Sequence, residues 1–135
     1  MPFEEKAEFA EPCRAAGVAL ISMVAPTSAS RVQMIAREAE GFIYCMSSLG
    51  VTGVRSNLSA NVAELVAQVR EANPDIPCAI GFGISTPEQA RNMAKLADGV
   101  IVGSAIVRQI AKHGTESAAP VCAYVKEMAK AAKSA

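Results

Sequence analysis

Two glycine-bearing segments have residue types that could hold a phosphate. Gly81-Phe82-Gly83 ends one short apolar run, and Gly103-Ser104 ends the next apolar run along the chain. Glycines let a backbone turn sharply and present its amides without a Cβ in the way. A helix starting at Gly103-Ser104 would add bare amides and a hydroxyl, which suits an anion. The simpler alternative is that these glycines serve only tight turns.

Residues for other kinds of site are missing or poorly spaced. No glycine loop is followed by Gly-Lys-Ser/Thr, and no dinucleotide-binding fingerprint occurs. His113 has no partner at a metal-ligand spacing and fits the C-terminal end of a helix. The four cysteines are widely spread, and no two form a C-x-x-C pair: Cys13, Cys45, Cys78 and Cys122. We interpret them as small core residues of a protein in a reducing compartment. The sequence therefore implies no metal and no cofactor.

Composition limits the class of protein. The 135 residues are 51 % hydrophobic and 19 % charged, as expected for one globular domain. Thirteen basic and thirteen acidic residues balance, so no basic excess indicates nucleic-acid binding. No apolar run approaches the roughly 20 residues that span a bilayer, and no signal peptide is visible. We expect a cytoplasmic protein that binds neither membrane nor nucleic acid.

Short apolar runs alternate with helical patterns along the chain. The predicted strands are Ala19–Val24, Phe42–Met46, Cys78–Phe82 and Gly99–Val102. The predicted helices are Glu4–Ala16, Ser30–Glu40, Asn61–Ala72, Ser85–Leu96, Ala105–Lys112 and Ala118–Lys133. Continuous apolar runs suit strands buried on both faces. The alternation predicts parallel strands with right-handed helical crossovers, in an open doubly wound sheet or in part of a (β/α) barrel.

Several boundaries are set by local chemistry. Gly17 is a good left-handed stop for the first helix, and Pro12 should kink or split that helix. The stretch Ser47–Ser59 is rich in serine, glycine and asparagine and is predicted to be a long loop. Ser85-Thr86-Pro87-Glu88 combines a capping residue with a proline for the first turn, which predicts a helix start.

The two glycine segments come directly after neighbouring predicted strands. In parallel β/α folds, functional residues collect at the C-terminal ends of the strands. Barrels commonly place a phosphate site after their last two strands, at the start of an extra short helix. The predicted helix Ala105–Lys112 matches that extra helix. The position therefore favours a phosphate site over simple turns.

Three motifs in a fixed order resemble one known family. They are Gly50-Val51-Thr52-Gly53, Gly81-Phe82-Gly83-Ile84-Ser85 and Gly103-Ser104-Ala105-Ile106-Val107. With them the chain resembles the tryptophan synthase alpha subunit, from Pro2 to about Ala132. The resemblance is to the C-terminal half of that family, strands five to eight of its barrel. It implies an α/β fold that is half of a (β/α)8 TIM barrel, a single (β/α)4 half-barrel domain over residues 1–135.

The resemblance also implies an activity and a set of binding residues. The family is a carbon-carbon lyase of tryptophan biosynthesis that cleaves indole-3-glycerol phosphate to indole and glyceraldehyde 3-phosphate. By resemblance, Gly53 lies near the phosphate, and Gly83, Gly103 and Ser104 supply phosphate-binding amides and a hydroxyl. Phe82 and Tyr44 resemble residues beside the substrate. Thr52 resembles the threonine of a mobile loop that orders the site.

Departures from the family bear on catalysis. The family's catalytic glutamate and aspartate come from its N-terminal half, and no residue here matches either one. The reaction needs an acid to protonate the indole carbon and a base to accept a proton from the glycerol group. At Ser48 the family often has an arginine, so loop ordering could differ. We therefore expect a phosphate site without catalytic residues, and no activity from this chain alone.

A half-barrel also has consequences for partners. Its edge strands and concave apolar face are open to another chain, so we expect a homodimer. The beta subunit that pairs with the family would bind only if a full barrel were restored. Two alternatives remain: a non-catalytic phosphate-binding or self-associating scaffold, and a fragment of another phosphate-binding barrel, such as the ribulose-phosphate epimerase-like or indole-glycerol-phosphate synthase groups.

Overall fold

The fold is described from a computed structural model, which covers residues 5–46, 58–81 and 83–135. The expectations for Ser48, Thr52, Gly53 and Phe82 fall outside these described residues. Within them, no helix has the length and apolar content that crossing a bilayer requires.

Four parallel strands alternate with helices, as the sequence predicts. The strands are β1 (Ser22–Val24), β2 (Ile43–Met46), β3 (Cys78–Gly81) and β4 (Gly99–Ile101). The helices are α1 (Lys6–Ala15), α2 (Ala29–Arg37), α3 (Leu58–Ala72), α4 (Pro87–Ala94), α5 (Ser104–His113) and α6 (Ala118–Lys133). The strands lie in the order β1-β2-β3-β4, which is the order of the chain. This sequential parallel order is that of a barrel segment, whereas doubly wound sheets reverse their strand order partway.

The two faces of the sheet differ in burial. Side chains alternate along a strand, so Ile43 and Cys45 share one face of β2 while Tyr44 points to the other. The first face is the core: Ile43, Cys45, Cys78 and Ile80 are fully buried. Helix residues complete this core on the same side, among them Val32, Ala36, Val62, Leu65, Val66, Val69, Ala90 and Met128. We call this side the outer face, because the helices pack on it.

The opposite, inner face corrects one expectation. Continuous apolar runs predict burial on both faces, but Met23 is 54 % exposed and Ile21 is 37 % exposed. Of the three residues in β1, only Val24 is buried. Helices cover just one side of the described sheet, and the inner face is exposed at β1, whereas Tyr44 and Ala79 on the same face are half-buried. The open face agrees with the exposed concave surface expected for a half-barrel.

Strand and helix boundaries differ from the predictions where pairing or packing intervenes. β1 begins at Ser22 and not at Ala19, because its register with β2 starts at the pair Ser22 and Ile43. α3 begins at Leu58, inside the stretch predicted as a loop. α4 ends at Ala94, two residues before the predicted Leu96.

Proline and glycine act differently in α1. Pro12 lies inside α1, which runs from Lys6 to Ala15 as one helix, so the proline does not split it. Side chains on both sides of Pro12 contact the segment after α2: Lys6 donates to the Glu38 carbonyl at 2.8 Å, and Arg14 pairs with Glu40 at 2.9 Å. Gly17 comes after the helix with φ of 69°, the left-handed stop predicted from the sequence.

The cysteines correct a second expectation. Cys45 and Cys78 are buried, but Cys13 is half-buried and Cys122 is exposed, so only two of the four are core residues. Cys122 lies on α6, where its spacing matches the apolar pattern but its side of the helix faces solvent. All four thiols are free. A thiol–thiol hydrogen bond with Cys78, together with burial, raises the pKa of Cys45.

Candidate phosphate-binding site

The end of β3 leads into an exposed glycine and then a buried anchor. Gly83 has φ of 75°, a left-handed conformation that side-chain-bearing residues rarely adopt. The next residue, Ile84, is only 6 % exposed and belongs to the core cluster. An exposed glycine is therefore followed directly by a residue anchored in the core.

The next residues form a hydrogen-bonded helix start. Thr86 is the N-cap of α4, and its hydroxyl accepts from the Gln89 amide at 3.2 Å. In return, Oε1 of Gln89 accepts from the amides of Thr86 at 3.1 Å and Ser85 at 2.9 Å. Pro87 occupies the first helical position. This capping box satisfies amides that a helix start leaves without partners.

The end of β4 forms a second helix start with a different character. Gly103 is the N-cap of α5 and Ser104 its first residue, one position earlier than predicted. Because the N-cap residue is glycine, it offers no side chain to accept a hydrogen bond from the first amides of α5. The first helical hydrogen bonds run to the Gly103 carbonyl from the amides of Ile106 at 2.9 Å and Val107 at 3.2 Å. The amides that precede these two are the kind that bind anions at a helix N-terminus.

The strand register brings the two glycines to the same level. Gly81 of β3 lies opposite Ile101 of β4. Gly83 and Gly103 each lie two residues beyond this pair. They therefore follow the C-terminal ends of two adjacent strands, at the same edge of the sheet. A Cβ built on either glycine would meet no described atom within 4 Å. Packing by described atoms therefore does not explain the absence of a side chain at Gly103, while the positive φ of Gly83 by itself favours glycine there.

Tyr44 lies on the inner face beside this edge. Its partner across the β2–β3 pairing is Ala79, and its ring reaches over Gly81, where a Cβ would overlap the hydroxyl end of Tyr44. Gly81 therefore has a packing reason to be glycine, unlike Gly83 and Gly103. The sequence favoured a role for Gly81 in the turn, but its φ is not in the positive range of Gly83.

Tyr124 of α6 contacts the loop Gly83–Ser85 from the helix side. Its hydroxyl donates to the Ser85 carbonyl at 2.9 Å. Burial raises the pKa of Tyr124 above its ordinary value of 10.0, although the Arg108 guanidinium opposes the rise. The hydroxyl therefore keeps its proton at neutral pH and acts as a donor.

The structure describes four of the seven residues expected at the site and places them at neighbouring strands. Tyr44, Gly83, Gly103 and Ser104 lie on three adjacent strands or the turns after them, while Thr52, Gly53 and Phe82 are outside the described residues. Sequence reasoning missed Gln89 and Tyr124. The spacing Thr-x-x-Gln from Thr86 to Gln89 is a capping-box signature that could have found the first. No local pattern points to Tyr124, since its contact joins residues 39 apart.

Metal binding has no support in the described part of the chain. Across residues 5–46, 58–81 and 83–135, no group of three or more His, Cys, Asp or Glu side chains could hold a metal ion. The groups that this edge presents are backbone amides and the Ser104 hydroxyl.

Solved structures identify the architecture as half of a TIM barrel. The tryptophan synthase alpha subunit of Campylobacter jejuni matches with a TM-score of 0.80 and 33 % identity, over 95 % of this chain and 49 % of that one. A tryptophan synthase from M. tuberculosis in its aminoacrylate-bound form matches with a TM-score of 0.79 and 28 % identity, over 98 % of this chain and 47 % of that one. These neighbours are TIM barrels, and this chain corresponds to about half of each.

Sequence comparisons define the family. The family model of the tryptophan synthase alpha chain matches residues 1–134. The tryptophan synthase alpha chain of Bacillus licheniformis is 48 % identical over 120 residues, which are 89 % of this chain and 45 % of that protein. The corresponding chain of Shouchella clausii is 53 % identical over 110 residues, which are 82 % of this chain and 40 % of that protein.

This chain belongs to the tryptophan synthase alpha chain family. It spans about half the length of the curated relatives it matches, or slightly less.

Proposed function

We propose that residues 1–135 form a single (β/α)4 half-barrel that binds the phosphate of indole-3-glycerol phosphate or glyceraldehyde 3-phosphate. The observation that carries the proposal is the pair of open glycines, Gly83 and Gly103, at the same level of adjacent strands. The uncapped start of α5 at Ser104 adds amides and a hydroxyl beside them. In the same site, Tyr44 would border the indole-glycerol part of the substrate, and Phe82, Thr52 and Gly53 would complete the pocket.

Phosphate binding and turnover are separate parts of the proposal. Cleavage of the carbon–carbon bond needs an acid at the indole carbon and a base at the glycerol hydroxyl. None of this chain's residues matches the catalytic glutamate or aspartate of the family. We therefore propose that the chain holds the phosphate but does not turn over substrate by itself. A second half-barrel would supply the acid and base, and the beta subunit would bind only to the restored barrel.

A titration monitored by amide NMR tests the binding half of this proposal. Inorganic phosphate and glycerol 3-phosphate should each shift the amide signals of Gly83, Gly103 and Ser104. The amide of Gly17 serves as an internal control, since it shares a positive φ and an open surrounding but ends α1. If phosphate leaves the Gly83 and Gly103 signals unchanged, the proposed binding site is wrong.

A charge substitution sharpens this test. Gly103→Asp places a carboxylate at the N-cap of α5, where aspartate stabilises a helix but repels phosphate. The variant should fold and lose phosphate binding. Ser28→Asp is a matched control, because Ser28 is the N-cap of α2 beside β1, at the other end of the sheet. Equal loss of binding in both variants would contradict a site at Gly103.

An indole-release assay tests the catalytic half. The chain alone should form no indole from indole-3-glycerol phosphate. Mixed with the N-terminal half of the Bacillus licheniformis relative, which this chain does not cover, it should regain measurable lyase activity. Indole formation by the purified chain alone would show that its own residues supply the acid and base.

A second candidate, self-association, is favoured by the exposed inner face. Grooves of about 400 Å³ and about 370 Å³ lie beside the edge strands β1 and β4, and the first includes the exposed side chains of Ile21 and Met23. We propose that two copies pair as a homodimer, with β4 of one copy meeting β1 of the other. Parallel strands in sequential order allow this pairing to close at both edges. Sedimentation as a 14.0 kDa monomer at all concentrations would contradict it.

The four free thiols bear on where the chain works. Disulfides are rare where thiols are kept reduced, as in the cytoplasm. Free Cys45 and Cys78 in the core, with Cys122 exposed, are in keeping with a reducing compartment. We include a cytoplasmic location in the proposal on this basis.

A further inference from the structure

We propose that Tyr124 of α6 is a positioning residue for phosphate binding, acting through the loop Gly83–Ser85. The inference rests on the proposed function, since it assigns a role to Tyr124 in the same anion site. It adds a residue that does not itself touch the phosphate and that lies on a helix far along the chain.

The first step is that both peptide groups of Ser85 are held. Oη of Tyr124 donates to the Ser85 carbonyl at 2.9 Å. The amide of the same residue donates to Gln89 Oε1 at 2.9 Å. Two successive peptide planes are therefore held: the one before Ser85 by α4, and the one after it by Tyr124 of α6 together with the Thr86 amide, which donates to Gln89 Oε1 at 3.1 Å. Without the Tyr124 hydroxyl, only the α4 side of this restraint remains.

The second step connects Ser85 to the amide that would bind phosphate. Between β3 and Ser85, the backbone passes through Gly83, whose φ is 75°, and Ile84, whose side chain is buried. Glycine has more conformational freedom than any other residue, so the direction of its peptide groups depends on how the neighbouring residues are held. The buried side chain of Ile84 fixes where the loop lies, and the hydrogen bonds of Ser85 fix how its peptide groups are oriented. The hydrogen bond from Tyr124 is therefore one of the restraints, with those from Gln89, through which the direction of the Gly83 amide would be set.

The third step places Tyr124 next to the other half of the site. Tyr124 lines a groove of about 370 Å³ together with Val102, which precedes Gly103, and Ile106, which lies in the first turn of α5. Tyr124 also lies close enough to Arg108 of α5 for the guanidinium charge to act on its hydroxyl. One side chain therefore contacts the loop after β3 and borders the start of α5, so it can keep the two glycine ends in register.

A purely structural role makes a different prediction. The ring of Tyr124 packs against the core cluster, and that packing would survive removal of the hydroxyl. If the ring alone mattered, Tyr124→Phe would leave phosphate affinity unchanged. If the hydroxyl orients the loop, affinity falls while the fold remains.

The test compares Tyr124→Phe with a matched control at the end of the same helix. Ser134→Ala also removes a hydroxyl that donates to a carbonyl, that of Ala131 at 2.9 Å. The same hydroxyl accepts from Arg91 Nε at 3.2 Å, so this control also tests the loss of a contact between α4 and α6, at the far end of α6. Each labelled chain is titrated with inorganic phosphate, and urea unfolding is measured in parallel. Tyr124→Phe should bind phosphate about threefold to tenfold more weakly, the range expected for one lost hydrogen bond, and Ser134→Ala should bind as the original chain does.

A second readout needs no ligand. In phosphate-free buffer, Tyr124→Phe should shift the amide signals of Gly83 and Ser85, and Ser134→Ala should not. These shifts report loop orientation in the folded state, so they remain informative even if the variant is somewhat less stable.

The outcomes separate this inference from the proposed function. If the original chain shows no phosphate-dependent shifts at Gly83 and Gly103, the proposed site is wrong and the role of Tyr124 falls with it. If the original chain binds and Tyr124→Phe binds equally well, the site stands and this inference is wrong. Equal weakening in Tyr124→Phe and Ser134→Ala would indicate general destabilisation and would also overturn it.

Discussion

Among single residues, Gly81 is the one whose lack of a side chain has the clearest packing cause. A Cβ there would overlap the hydroxyl end of Tyr44, which lies over β3 on the inner face. Gly81→Ala should therefore displace the Tyr44 ring and destabilise the fold by about 1–3 kcal/mol, the usual cost of overpacking. Urea unfolding measures the free-energy change, and the signals of the Tyr44 ring report its displacement.

Gly99 offers a matched control for this substitution. It lies on the next strand opposite Ala79, and a Cβ there would make only an ordinary contact with the Ala79 Cβ at 3.7 Å. Gly99→Ala should change stability by less than about 0.5 kcal/mol, or increase it slightly by restricting the unfolded chain. Equal losses at Gly81 and Gly99 would show that Tyr44 is not the cause.

The residue scale also shows what the sequence can and cannot predict about the site. The position of Gly83, Gly103 and Ser104 just after strands could be predicted, because glycines and a hydroxyl follow apolar runs and the end of a strand is a local feature. The reason for Gly81 is not local, because it depends on a side chain from a strand 37 residues earlier. For Cys122 the local pattern gives a wrong prediction: its apolar neighbours predict burial, but its side of α6 faces solvent.

At the scale of elements, the start of α4 is held by side chains and the start of α2 is not. Thr86 accepts from the Gln89 amide, whereas Ser28, the N-cap of α2, makes no side-chain cap hydrogen bond within the described residues. Thr86→Ala should lower the free energy of unfolding by about 1 kcal/mol, and Ser28→Ala should cost clearly less. Thermal or urea unfolding of the two variants checks the difference. Similar costs would mean that the capping bond to Gln89 contributes little.

The N-terminal end of β3 is tied to β4 by Asp98. Its carboxylate accepts from the Cys78 amide at 2.8 Å and pairs with Arg70 at 3.3 Å. The Cys78 amide, aided by the Arg70 charge, holds the pKa of Asp98 below its ordinary value of 3.8. Because the pKa is lower in the folded state, the stabilisation is complete above the unfolded pKa. It is lost as the pH falls through the folded pKa.

Asp98→Asn should therefore cost about 1 kcal/mol near neutral pH, since a charge-assisted hydrogen bond becomes a neutral one in a half-exposed position. The difference from the original chain should shrink as urea unfolding is repeated from about pH 7 down to about pH 3. Asp75→Asn, in the exposed turn before β3, is the control and should show little difference at either pH. A gap for Asp98→Asn that persists unchanged at low pH would contradict this role of the carboxylate.

Element order was predictable because each strand and helix carries its own apolar period and stop residues. The lengths of the strands and helices were less predictable. β1 is three residues shorter than its apolar run because it can pair only where β2 lies beside it, from Ser22 onward. Pro12 does not split α1, which runs through it from Lys6 to Ala15. For β1, a tertiary contact overrides a local pattern.

For the whole molecule, the open inner face is the feature that most affects behaviour in solution. Burying apolar surface is the main driving force for association, and an exposed apolar face with free strand edges promotes it. In the described sheet, β1 and β4 are the edge strands, and Met23 projects from β1 with 54 % of its surface exposed. The same surface would contact a second copy or a complementary half-barrel.

Met23→Lys tests whether this face mediates self-association. A lysine on the inner face would have to bury its charge between two copies, so the variant should sediment as a monomer while the original chain forms a dimer. Met34→Lys is the control, because Met34 is 38 % exposed on α2 and lies on the helix side of the sheet. It should dimerise as the original chain does. A dimer that persists in Met23→Lys would place the interface elsewhere on the molecule, and loss of the dimer in both variants would indicate a nonspecific effect of added charge.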